Sequence, residues 1–187
     1  MDMAPEKLSR MSKRMSTITL LFIALMLIIN TAHWLLPGVY AEGSGFTINL
    51  APVLSNGRQI DMQQLSGWQI FAGFVLSSVP LLMLAWGLWH LRKLFVAYSQ
   101  GAWFSAMAAC HMKYAGFAVA GWTLLERVTQ PVIGLLATLY LPKGERVLEV
   151  SISASDFVAL FVAGSIVVIA QILQRASTLH AENQAFI

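Results

Sequence analysis

Apolar positions fill four long stretches of the chain, and the charged residues collect between them. No formally charged residue lies between Arg14 and Glu42, and residues 19–30 read TLLFIALMLIIN before Pro37 and Gly38 interrupt the run. Residues 16–36 therefore predict a first membrane-crossing helix, since about 20 apolar residues cover the hydrocarbon thickness. A second uncharged run covers residues 68–91, with Trp68 at one end and Trp86, Trp89 and His90 near the other, as an aromatic belt would place them. The third, residues 114–141, is divided by Glu126 and Arg127; the fourth, residues 157–173, is short, uncharged and rich in Val and Ile. A β-branched run suggests a strand in water, yet in lipid only a helix or a closed barrel satisfies the backbone, and four segments cannot close a barrel. The expected fold class is an all-α membrane protein, with four transmembrane helices in a single domain covering residues 1–187.

Between the spans the period changes. Residues 46–50 and part of 147–153 alternate apolar and polar positions, which predicts a small extracytoplasmic two-stranded β element. Pro37 with Gly38, Gly43 with Gly45, Asn56 with Gly57, and Pro142 with Gly144 punctuate these loops as turns. Ser155 or Asp156 can cap the start of the fourth span, while Gly101 can end the second helix and Ser105 start the third.

Composition agrees with this solvent assignment. Of 187 residues, 57% are apolar and 11% charged, where a soluble domain carries about a quarter charged residues. Four spans of about 20 residues leave only short connections, so no sizeable extramembrane domain is expected. The single cysteine, Cys110, excludes an internal disulfide framework.

The net charge of +3 matters chiefly through its distribution. Lys7, Arg10, Lys13 and Arg14 precede the first span, Arg92, Lys93 and Lys113 lie between the second and third, and Arg175 follows the fourth. Arg58, Lys143 and Arg146 on the other side are outnumbered by Glu42, Asp61, Glu145, Glu149 and Asp156. Basic loops stay cytoplasmic, so both termini of a multi-pass protein are expected in the cytoplasm. Topology and lipid headgroups account for the basic excess, and direct nucleic-acid binding is not expected. A competing reading takes residues 39–41 as a signal cleavage site. The apolar run before them exceeds the 7 to about 15 residues of a usual signal core, which favours a retained span.

The Glu126 and Arg127 pair is the main candidate for chemistry. It falls in the middle of its 28-residue stretch, where an unpaired charge costs at least about 2.5 to 3.5 kcal/mol. Pro131, four residues on, leaves the Arg127 carbonyl without its helical donor. Thr123, Glu126, Arg127, Gln130 and Gly134 follow helical spacing and predict one inward polar stripe, with Ser77, Ser78, Ser165 and Asn30 as its neighbours on other spans. Three readings stay open: a buried site for a small ligand, ion or proton; polar packing between helices; or a shifted register that puts the pair at the outer surface.

The four histidines lie near span ends and show no same-face spacing for haem or zinc. No GxSxG, HExxH, P-loop or GxGxxG arrangement occurs. No catalytic residue, metal or cofactor is expected, and the chain does not read as an enzyme. At the cytoplasmic face Arg92, Lys93, Tyr98, Trp103 and Phe104 form either a helical hairpin turn at headgroup level or a docking surface, shared with a tail that includes Glu182 and Asn183.

The segment from Leu91, Arg92, Lys93, Leu94 and Phe95 through Tyr98, Gly101, Phe104 and Ser105, with Asp156 and the closing ENQAFI, resembles the bacterial membrane family called domain of unknown function 2975. The likeness covers nearly the whole chain. Where relatives often carry charged residues after the Phe-Ser pair, this chain has Ala106, Met107, Ala108, Ala109 and Cys110. The family has no established activity. Its members are commonly encoded beside a small helix-turn-helix regulator, which implies a membrane component that senses a signal or holds a transcription factor. The alternative is a small transporter or channel subunit, which would have to form a homo-oligomer to enclose an aqueous path.

Overall fold

A computed structural model describes residues 3–35, 65–102, 105–142, 146, 150 and 152–185. It contains four α-helices: α1 (Met3–Leu35), α2 (Gly67–Ser99), α3 (Ala106–Ala137) and α4 (Ala154–Ala185). Among the described residues there is no strand. The expected β element falls on residues 46–50 and part of 147–153, of which 46–50, 147–149 and 151 lie outside them, as do residues 39–41.

Three stretches are long and apolar enough to cross a membrane: Glu6–Leu35, Gly67–Ser99 and Ala154–Leu179. α3 falls short because Glu126, Arg127 and Gln130 divide its apolar run. Each helix has 32 or 33 residues, about 50 Å of rise against about 30 Å of hydrocarbon. α1 starts well before the predicted first span, α4 runs well past the predicted fourth, and α3 ends at Ala137 where a span to 141 was expected. The Thr138 amide and hydroxyl both donate to the Gly134 carbonyl, at 3.1 and 2.8 Å, and close the last turn.

Burial is inverted relative to a water-soluble protein. Leu21, Ile28, Phe157, Phe161 and Ile172 are each more than 60% exposed, whereas Ala118, Ala163 and Ala170 are fully buried and Ser12, Ser16 and Thr19 nearly so. In lipid a large aliphatic chain loses nothing by facing outward, and small residues allow helix backbones to approach. The same pattern in water would leave a large aggregation-prone surface.

The chain divides into two compact units, residues 1–25 with 82–123 and 153–187, and residues 26–81 with 124–152. In the first, α3 packs closely against both α2 and α4. A Cβ on Gly87 would collide with that of Ala118, and one on Gly116 would lie 3.1 Å from the Ala163 carbonyl oxygen and 2.8 Å from Val167. α1 is tied to the end of α2 by the Ser9 hydroxyl, which donates to the Ser99 carbonyl at 2.7 Å.

The α2–α3 turn follows its local sequence. Gly101 takes φ +84°, the Ala102 amide donates back to the Ala97 carbonyl at 3.1 Å, and the Ser105 hydroxyl accepts the Ala108 amide at 3.1 Å. These are the left-handed stop and the amino-terminal cap expected of Gly and Ser. At α4 the cap is Ser153, not Ser155 or Asp156. Asp156 sits three residues on and its carboxylate accepts the Ser153 amide at 2.8 Å, the reciprocal half of a capping box. A similar pair opens α2, where Gln69 Oε1 accepts the Ser66 amide at 2.9 Å.

The second unit is built on Trp34, Leu65, Ile133 and Ala137, with Ile70, Phe74 and Leu76 packed around them. Gly73 belongs to this contact, since the Trp34 indole occupies the space a Cβ would need. The Gln69 side-chain amide Nε2 donates to the Leu136 carbonyl at 2.8 Å and joins α2 to α3.

Candidate functional site

The second unit brings together three of the predicted polar residues. Asn30 Nδ2 donates to Ser78 Oγ at 3.0 Å, and Ser77 Oγ lies 3.0 Å from Asn30 Oδ1. Trp34 Nε1 donates to Ser77 Oγ at 2.9 Å, and Ser78 Oγ donates to the Phe74 carbonyl at 2.7 Å. Trp34 was not foreseen as a member. The available signal was its position one helical turn after Asn30, which puts the two on one face. Donors and acceptors in this group are satisfied by one another, the condition for keeping polar side chains out of water.

The predicted stripe on α3 is only partly present. Thr123 and Thr129 are buried, Glu126 and Arg127 half-buried, and Gln130 exposed. Thr129 therefore continues the inward face and Gln130 turns away, because a step of one residue rotates the helix by about 100°. Thr123 and Thr129 return their hydroxyls to the Val119 and Leu125 carbonyls, each at 3.0 Å. Glu126 and Arg127 both have interaction partners, as a charge within an apolar helix requires. Pro131 is buried in the same stretch. Ser165 belongs to the first unit and donates to the Phe161 carbonyl of its own helix at 2.9 Å.

An open groove of about 470 Å³ runs along α1 in the second unit, lined by Leu27, Ile28, Thr31, Ala32 and Leu35. Thr31 gives its hydroxyl to the Leu27 carbonyl at 2.8 Å. Among the described residues the groove lining is therefore apolar.

In the first unit the Arg92 guanidinium lies over the Trp89 ring, 5.0 Å from its centre. Lys93 is exposed and Tyr98 half-buried. Trp103 and Phe104, and the side chains of Glu182 and Asn183, lie outside the described residues, so the expected docking surface is seen only in part.

The histidines make a contact that the sequence did not show. His90 of α2 and His111 of α3 face each other with Nδ1 atoms 3.0 Å apart, a pairing that spacing within one helix could not reveal. Trp86 and Tyr114 pack on the His90 ring, with centres 4.8 and 4.9 Å away. Burial, reinforced by the Lys93 ammonium, pushes the His111 pKa below the ordinary value of 6.5.

That shift has a definite sign. The folded state holds His111 neutral while the unfolded chain takes up a proton more readily, so stability is full above about pH 6.5 and is lost as pH falls toward the depressed folded value. Thermal unfolding in detergent from pH 8 to pH 5 should show this decline, and His111→Gln should flatten it. An unchanged slope in the variant would remove His111 as the cause.

Long helices with outward aliphatic residues and small-residue contacts define a polytopic α-helical membrane protein. The chain belongs to the family described as protein of unknown function DUF2975, whose model matches residues 28–187. No curated protein and no solved structure matches it.

Proposed function

We propose that this is a four-span protein of the bacterial cytoplasmic membrane with both termini in the cytoplasm, and that it acts by holding a small helix-turn-helix transcriptional regulator at the membrane in a signal-dependent way. In this reading α3 is the fourth span, its Glu126 and Arg127 being compensated within the protein. The observation that carries the reading is helical overshoot on the basic side. Lys7, Arg10, Lys13, Arg14, Arg92, Lys93, Lys113 and Arg175 all lie on helices of one compact unit, and the helices are about 20 Å longer than the hydrocarbon requires. A rigid basic helical end offers a partner a fixed surface with little ordering entropy to lose. The family resemblance supplies the class of partner.

A transporter reading finds less support, because Asn30, Trp34, Ser77 and Ser78 bond to one another instead of lining a path.

Affinity purification of the full-length protein from its native membrane should recover a small helix-turn-helix protein. The joint variant Arg92→Gln with Lys93→Gln should reduce that recovery at least several-fold while leaving membrane insertion intact. Repeated recovery of the protein with no such partner would overturn the proposal.

A further inference from the structure

His90 and His111 are brought together by two helices, and their rings turn their Nδ1 atoms toward each other. Two metal–nitrogen bonds of about 2.05 Å at the tetrahedral angle place the nitrogens about 3.3 Å apart and the ring centres about 5.2 Å apart. Here the ring centres are 5.2 Å apart and the Nδ1 atoms 3.0 Å apart. These are the distances of a nearly linear N–H···N hydrogen bond, and turning each ring by roughly 20° about its centre exchanges that bond for a chelate at the same centre separation. We propose that His90 and His111 form a two-imidazole clamp for a divalent first-row transition ion of the zinc, copper and nickel class, with water on its remaining positions.

The surroundings favour this use of the pair. Trp86 contacts both His90 and Tyr114, so an aromatic collar limits ring rotation and lowers the entropy lost on binding. Without an ion the two Nδ1 atoms share one proton, since two protons there would oppose each other. Metal ligation needs neutral imidazoles with both Nδ1 atoms unprotonated, so the shared proton moves to the Nε2 atom of its ring. Lys93 repels the ion, but it is exposed and its field is screened by water. Among the described residues no group of three or more His, Cys, Asp or Glu gathers for a metal. The ion thus keeps exchangeable water positions, unlike a closed structural zinc site. Imidazole ligands and the general order of divalent affinities predict copper(II) as the tightest ion tested.

This inference goes beyond the regulator reading and does not depend on it. The test uses full-length protein in detergent micelles, purified without an oligohistidine tag and titrated with Cu²⁺, Ni²⁺ and Zn²⁺ by calorimetry. One ion per chain is expected, with affinity reduced at least about tenfold in His90→Gln and in His111→Gln and unchanged in His33→Gln. Glutamine retains hydrogen-bonding capacity, and circular dichroism with gel filtration confirms that each variant is folded. Cu²⁺ paramagnetic resonance should show two imidazole nitrogens in the wild type and one in either variant. Equal affinity in the wild type and the folded double variant, or a pH-dependent stability change with no ion binding, would identify a proton-sharing pair and overturn the proposal.

Discussion

Trp34→Ala is expected to destabilise the protein by about 3 kcal/mol, the low end of the range for removing a buried indole. The low end applies because lipid replaces water as the reference solvent, leaving mainly lost packing and a lost hydrogen bond. Trp34 is 3% exposed and sits among Leu65, Ile133 and Ala137. Gly73 has no Cβ at the place the ring occupies, so the backbone cannot easily close on the cavity. The indole N–H also satisfies Ser77 Oγ at 2.9 Å. Trp34→Phe keeps much of the ring and loses that bond, and should cost about 1 kcal/mol more than packing alone predicts. Reversible unfolding in mixed micelles with increasing denaturing detergent measures both. A Trp34→Ala variant within about 1 kcal/mol of the wild type would show that the second unit does not rest on this residue.

Gly87→Val should be nearly as damaging, at about 2 to 3 kcal/mol, for the opposite reason of overpacking. Ala118 is fully buried against Gly87, and even one added Cβ collides with it. Since the obstruction is a short side chain fixed to the facing helix, relief requires α2 and α3 to separate within the first unit. Gly87→Ala combined with Ala118→Gly should recover more than half of what Gly87→Ala alone loses, a coupling measurable as a double-mutant cycle in the same detergent titration. Gly164→Ala is the control. Nothing lies within 4 Å of a Cβ there, and the helix gains up to about 1 kcal/mol from alanine. Equal losses at positions 87 and 164 would refute the close-contact account.

The turn between α2 and α3 was legible because Gly101 and Ser105 act on backbone groups within a few residues of themselves. The cap of α4 was displaced to Ser153 since several hydroxyl and carboxylate residues there compete for the same amides, and the geometry of Asp156 selects among them. Gln130 was assigned inward on polarity, but Thr129 occupies the inward position. The Thr129 hydroxyl is absorbed by its own helix. In lipid the direction a polar side chain faces is decided by where its hydrogen bonds are met, so polarity alone misleads.

Asn30, Ser77 and Ser78 were expected near Glu126 and Arg127, and the structure joins the three to one another and to Trp34. The His90 and His111 pair was wholly hidden. Their separation of 21 positions carries no periodic signal, because it depends on how two helices rotate about their own axes after the turn that joins them.

Hydrophobic run lengths and turn chemistry were enough to establish long apolar helices and the turn between α2 and α3, since each depends on transfer of a local segment between solvents or on backbone groups close in the chain. Which residues meet across helices was settled only by packing. There glycine and alanine set how closely two backbones approach, and that approach fixes which indole, hydroxyl or imidazole finds a partner.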